Sequence, residues 1–265
     1  MLENPKSERV KGISRLNQKD ARIESGLFLL EGPQGLKELV RTPDLAHEVF
    51  FTEAAYDKYE DQLVALEDAG VPIVEVSEAV MEKICDTKTP QGVVSVVSQI
   101  DLSLDELIES NPRLIAILDQ ARDPGNAGTV LRAADAAGAD GVIFTSESVD
   151  VYNPKVVRST AGSILHLPFV QNAKPAELVR ALKAAGIQVF ATSASGTSIT
   201  KLGAKLAKPT AWIFGNEAHG VSAELLELAD DVVSLPIYGN AESLNLATAA
   251  SVCLYASAFE LFAQD

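Results

Sequence analysis

The sequence predicts an α/β protein in two parts, a small α/β domain over residues 1–107 and a larger domain with a parallel sheet over residues 108–265. Two observations predict it. From Arg113 onward, strand-like and helix-like segments alternate, and the strand segments are apolar almost without interruption; strands apolar on both faces imply a parallel sheet covered by helices on either side. Before that point runs "IDLSLDELIESNPR", polar, acidic and closed by Asn111-Pro112, which reads as a linker and sets the boundary near residue 107.

In the first part, period-2 and β-branched runs mark strands at "LFLLEG" (27–32), "EVFFT" (48–52), "VPIVEV" (71–76) and "GVVSVVSQ" (92–99). Helices are expected around Gln34–Val40, around Ala54–Asp68 and, shorter, from Ser77. In the second part the strands are "LIAILD" (114–119), "GVIF" (141–144), "IQVFAT" (187–192), "AWIF" (211–214) and "DVVSLP" (231–236). No internal repeat interrupts the order. In such sheets ligands bind beyond the carboxyl ends of the strands, so the residues after each strand carry the search for chemistry.

Composition narrows the function. The chain has 265 residues, 47% hydrophobic and 22% charged, ordinary for a globular protein. A charged N-terminal stretch stands where a signal peptide would be apolar, so a cytoplasmic location is expected. The most apolar segment, 244–263, contains Asn245 and Glu260 and lacks a basic flank, so a buried or subunit-contacting helix accounts for it better than a membrane span. Cys85 and Cys253 have no CxxC spacing and the three histidines are scattered, so no metal is expected. The net charge is −15, unfavourable for indiscriminate polyanion binding, but residues 1–22 hold six basic side chains against three acidic ones, a local +3 that leaves −18 on the remainder. Arg9, Lys11, Arg15 and Arg22 are therefore the candidate cationic contacts, and removal of residues 1–22 is expected to cripple polyanion binding.

Three post-strand loops stand out. In "LDQARDPGNAGTVLRAADAAG", Asn126 is placed to cap a helix running through Ala137; Ala127, Val130, Leu131, Ala134 and Gly138 form one stripe, and Arg132 lies about 140° from its centre, unneeded for packing. The absence of GxGxxG removes the dinucleotide fingerprint. In "IFGNEAHGVS", Gly215 permits close backbone approach and Ser222 is a fair N-cap for "AELLELA". In "LPIYGNAESLNLATAASV", Ser243 begins the last helix, and the amide of Asn245, at the start of so apolar a helix, needs a partner.

Taken together and in this order, "NAGTVLR" (126–132), "FGNEAHG" (214–220) and "LPIYGNAESLN" (235–245) resemble the three motifs of the SpoU (TrmH-like) family of RNA 2′-O-ribose methyltransferases of the SPOUT superfamily. The likeness spans roughly residues 113–260 and includes "NPKVVRSTAGS" (153–163); "RLNQKDARIESGLFLLEGPQGLKEL" (15–39) is similar to the small, ribosomal-protein-related substrate-binding domain of many members. Ala218 departs from the pattern, standing where many members have glycine.

The resemblance implies a trefoil knot in the second domain, S-adenosylmethionine held near Thr192, Gly215, Leu235, Ile237 and Leu244, and a homodimer through the C-terminal domain. It also implies that Asn126, Arg132, Glu217, Ser243 and Asn245 form the catalytic group, with Lys155 and Arg158 as further contacts to RNA or to the cofactor's carboxylate. The reaction the resemblance implies is in-line attack of a ribose 2′-hydroxyl on the methyl group, which would need two positioned reactants and no metal. A guanidinium is normally protonated, so Arg132 is assigned phosphate positioning and hydroxyl polarisation. Ribosomal RNA is favoured over transfer RNA by the two-part build. The alternatives are the same reaction on transfer RNA or, in a different class, a nucleotide-binding α/β oxidoreductase.

Overall fold

A computed structural model of the protein describes residues 1–263. The chain forms two compact units, residues 1–100 with 150–165, and residues 101–149 with 166–263 of the described chain.

The first unit runs α1 (Glu8–Ser14), α2 (Lys19–Ser25), β1 (Leu27–Glu31), α3 (Pro33–Leu39), β2 (Ala46–Phe51), α4 (Glu53–Asp68), β3 (Ile73–Glu75), α5 (Glu78–Ile84) and β4 (Val93–Ser98). Its sheet has the order β1-β4-β2-β3; β4 pairs antiparallel with β1 and β2, and only β2–β3 is parallel. The basic N-terminal stretch is structural as well as cationic. Val10, Leu16 and Ala21 are buried, and so is Arg22, which donates to the Leu16 carbonyl at 2.8 Å and to Asp150 Oδ2 at 2.6 Å. Arg22 therefore cannot be a surface contact, and deleting residues 1–22 would remove core, because burying a guanidinium requires a partner and the fold supplies one. Arg9, Lys11 and Arg15 are exposed; they pair with Glu48, with Glu8 at 2.7 Å and with Glu24 at 3.8 Å respectively.

The second unit begins earlier than the linker reading placed it. Residues 101–107 belong to it: Ser103 and Glu106 form a reciprocal capping box for α6 (Leu104–Glu109), and Leu107 is fully buried in the core with Ile115, Ile143 and Val170. Polar composition hid a short capped helix that docks through buried Leu107, with partly buried Leu104 and Ile108 packed beside it. Then follow β5 (Leu114–Leu118), α7 (Pro124–Ala136) and β6 (Gly141–Thr145); α8 (Pro154–Ser159) lies in the segment that folds with the first unit. The second unit resumes with β7 (Phe169–Ala173), α9 (Pro175–Ala184), β8 (Gln188–Ser198), β9 (Thr210–Phe214), α10 (Ala223–Leu228), β10 (Asp231–Ser234) and α11 (Leu246–Leu261).

These six strands make an all-parallel sheet of order β10-β8-β9-β5-β6-β7. Strands β5, β6 and β9 are buried at every residue, as continuous apolar runs require. Strand β7 was not read from the sequence: its Gln171 and Asn172 are not buried, which breaks the apolar run at a sheet edge. Trp212 on β9 is fully buried, packs edge-on against Phe190 at 5.1 Å and donates Nε1–H to Ser257 Oγ on α11 at 2.9 Å. The one polar atom of the largest buried side chain is thereby satisfied and α11 is fixed to the sheet. No described helix is long and apolar enough to cross a membrane.

Candidate active site

Three loops leave the carboxyl ends of strands β5, β9 and β10. The first two are tied by short bonds. Buried Asp119, at the end of β5, accepts from the Thr145 hydroxyl at 3.0 Å and from Ser222 N–H at 2.8 Å; Asn216 Nδ2 donates to the Gln120 carbonyl at 2.9 Å. Gln120 sits at φ +50°, a left-handed conformation that costs a non-glycine residue about 1–2 kcal/mol and aims its carbonyl at the second loop. Asp119, Gln120 and Asn216 were missed in the sequence. The available signal was an acid closing a wholly apolar strand, which must find partners.

The second loop turns back on itself, Asn216 and Gly220 exchanging both backbone hydrogen bonds at 3.0 and 2.7 Å. At Gly215 a Cβ would lie 2.0 Å from the backbone of Gly220 and Val221, so only glycine fits. Ala218 is accommodated on the exposed side of the turn, its N–H donating to Asn216 Oδ1 at 2.9 Å. Ser222 stands at the cap position of α10, yet its hydroxyl makes no capping bond and has no hydrogen-bond partner among the described residues; its backbone N–H, not its side chain, is what the fold uses.

The caps also differ from the sequence reading at α7 and α11. Asp123, not Asn126, caps α7, its Oδ1 accepting from Asn126 N–H at 2.7 Å, with Pro124 pre-set at the first helical position. Asn245, not Ser243, caps α11, accepting from Ala247 and Thr248 N–H at 2.9 and 3.3 Å. The Asn126 and Ser243 side chains are thus relieved of capping. Asn126 uses this freedom: its Nδ2 donates to Glu217 Oε1 at 2.5 Å and its Oδ1 accepts from Asn245 Nδ2 at 2.9 Å. One amide on α7 joins a carboxylate of the second loop to the cap of α11, and the three loops become one polar wall.

That wall borders a cavity of about 490 Å³. Thr192, Gly215, Leu235, Ile237 and Leu244 all line it, together with Glu217, Ser243 and Asn245. The volume falls in the range of small-molecule sites, roughly 300–1,000 Å³. Ile237 and Leu244 are 38% and 39% exposed, apolar surface that a ligand would cover. Thr192 spends its hydroxyl on the Ile213 carbonyl at 2.9 Å, so it presents backbone and methyl to the cavity. An apolar floor with backbone groups and two carboxylates, Glu217 and Glu242, suits a flat heterocycle carried by a cationic group. Arg132 does not line the cavity; it lies on the exposed face of α7, and among the described residues no hydrogen bond or ion pair engages it.

The remaining predicted cations lie in the first unit. Arg158 is not free: it pairs with Glu31 at 3.3 Å and with Asp86 at 2.8 Å, while Glu31 also accepts from Asp86 N–H at 2.8 Å. Its charge is spent holding α8 to the loop after α5, so contact with a ligand's anion would have to compete with two carboxylates. Lys155 is exposed, without a hydrogen bond or ion pair from its ammonium among the described residues. Cys85 and Cys253 are buried free thiols pushed up to about 12, both chiefly by burial and Cys85 also by the nearby Glu31 carboxylate. Neither serves as a nucleophile at neutral pH. No three described His, Cys, Asp or Glu side chains gather as metal ligands.

Residues 113–255 match the SpoU rRNA Methylase family, and residues 7–95 match the MRM3-like substrate binding domain. The 23S rRNA (guanosine(2553)-2′-O)-methyltransferase RlmP of Bacillus subtilis is 33% identical over 255 residues, covering 96% of this chain and 97% of that protein. An AdoMet-bound rRNA methyltransferase from Sinorhizobium meliloti superposes with a TM-score of 0.84 at 31% identity, covering 98% of each chain. The SpoU methyltransferase AviRb from Streptomyces viridochromogenes, in complex with AdoMet, gives 0.83 at 29% identity, over 97% of this chain and 100% of that one.

Proposed function

The chain belongs to the SpoU rRNA Methylase family, and from that premise we propose that it transfers a methyl group from S-adenosylmethionine to a ribose 2′-hydroxyl of ribosomal RNA. The observation that carries the reading is the bond pair by which Asn126 on α7 links Glu217 and Asn245, both of which line a cavity shared with Thr192, Gly215, Leu235, Ile237 and Leu244. The missing dinucleotide fingerprint and this wall disfavour an oxidoreductase.

When bound, S-adenosylmethionine supplies an electrophilic methyl group on a sulfonium. The protein's part is positional and electrostatic. Leu235, Ile237 and Leu244 exclude water from the cofactor, and Gly215 lets backbone approach it. Glu217, held by Asn126, is a fixed carboxylate at the cavity wall that favours a nearby cation. Arg132, solvent-facing and uncommitted, positions an RNA phosphate and polarises the hydroxyl, and Ser243 is placed to accept or relay a hydrogen bond. Lys155, Arg9, Lys11 and Arg15 supply the cationic contacts of the first unit; Arg22 and Arg158 hold the fold.

The protein works in the cytoplasm as a homodimer through the second unit. Val252, Tyr255, Phe259 and Phe262 leave an exposed apolar face along α11, with Phe259 70% exposed, which a second copy would cover. The path of the three loops is read as the family's trefoil knot. Methyl transfer from labelled S-adenosylmethionine to unmodified rRNA and tRNA pools, followed by nucleoside analysis, tests the activity: a 2′-O-methylated nucleoside in the rRNA pool is expected, and label in the tRNA pool alone would overturn the choice of substrate.

A further inference from the structure

The loop between β10 and α11 carries more apolar surface than its cavity uses. Ile237 and Leu244 line the cavity and are covered once it is filled. Tyr238, between Ile237 and Gly239, does not line it. The side chain is 89% exposed, the most exposed of the large apolar side chains, and among the described residues it makes no hydrogen bond or ring contact. The other exposed aromatic side chains among the described residues, Phe259 and the less exposed Tyr255 and Phe262, belong to the separate face along α11. The loop is anchored on both sides of Tyr238, by Ser234 Oγ donating to the Gly196 carbonyl at 2.9 Å and by Asn245 bonding Asn126. Its middle therefore holds a bare ring beside the cavity rather than on a free-swinging tail.

Charge decides what could meet that ring. The cavity lining contains Glu217 and Glu242 and no lysine or arginine, so it repels a phosphate and admits a neutral partner. A nucleobase next to the ribose that presents its hydroxyl has an uncharged π-face, and unstacked RNA bases are commonly held on aromatic side chains.

We propose that Tyr238 is the platform on which the base of the target nucleotide stacks, a residue that binds the nucleotide beside the cavity without touching the reacting atoms. This rests on the reading of function above. Base–aromatic stacking is lost on truncation to alanine with an effect of about 1–3 kcal/mol, or roughly five- to 150-fold. Tyr238→Ala is expected to raise KM for RNA by that factor while kcat and S-adenosylmethionine affinity hold, and Tyr238→Phe to restore KM, since the ring and not the hydroxyl is used. Trp212 is the one tryptophan and is fully buried, so Tyr238→Trp adds a reporter whose emission RNA should quench. An unchanged KM in Tyr238→Ala overturns the proposal. So does emission of Tyr238→Trp that shifts with protein concentration but not with RNA, which would mean that a second copy covers the ring. Wild-type protein that methylates no RNA would defeat the reading of function instead, and the quench would still decide whether this loop meets RNA.

Discussion

Asn245 performs two tasks with one amide, and they can be separated. Its Oδ1 caps α11 by accepting from Ala247 and Thr248, while its Nδ2 donates to Asn126. Alanine removes both. Loss of an N-cap costs about 0.5–2 kcal/mol, and loss of an exposed amide–amide bond adds about 0.5 kcal/mol. Asn245→Ala should therefore lose roughly 1–2.5 kcal/mol, a fall in Tm of the order of 2–10 °C. Aspartate is as good a cap as asparagine, and its charge suits a helix N-terminus by about 0.3–1 kcal/mol, but it cannot donate to Asn126. If the Asn126 amide rotates to donate to the introduced carboxylate, its oxygen turns toward Glu217. In either orientation one of the two links fails. Asn245→Asp is expected to keep wild-type stability within about 0.5 kcal/mol while methyl transfer falls about 100-fold, the scale of a small misplacement at a reacting centre. Urea unfolding and single-turnover methyl transfer read the two effects. Equal destabilisation by both variants would refute the division of labour, and full activity in Asn245→Asp would refute the need for the three-residue link.

Arg132→Ala should leave the melting temperature unchanged, since no described group engages this exposed side chain, and should lower methyl transfer by at least about 100-fold, the scale lost when a reacting group is misplaced; a folded and active variant would exclude its role. Gly215→Ala drives a methyl into the Gly220–Val221 backbone, so soluble yield or S-adenosylmethionine binding by calorimetry should collapse. Arg22→Ala strands the Asp150 carboxylate and should destabilise by about 3–5 kcal/mol in urea. Both thiols are raised from 9.0 to about 12, so the unfolded chain loses these protons first and stability should fall as pH rises from about 9 toward 12, with no effect below; a flat urea midpoint across that window would contradict their burial.

By itself the sequence determined what depends on local periodicity and loop chemistry. Near-continuous apolar runs specified the four inner strands of the parallel sheet, because a strand covered on both faces has no polar position to spare. Gly215, Glu217 and Asn245 were legible because each sits just after a strand or just before a helix, where packing alone does not demand such residues. Only the tertiary structure decided how they are used. Capping turned on which of several candidates the backbone reached first, so Asp123 and Asn245 took the roles read for Asn126 and Ser243 and left Asn126 free to link three loops. Charge was legible, its pairing was not: Arg22 and Arg158 look like their cationic neighbours until distant Asp150 and Glu31 meet them, and a buried or committed charge is no longer available to a ligand. Residues far apart in sequence were brought within bonding distance by the fold, and composition carries no record of that distance.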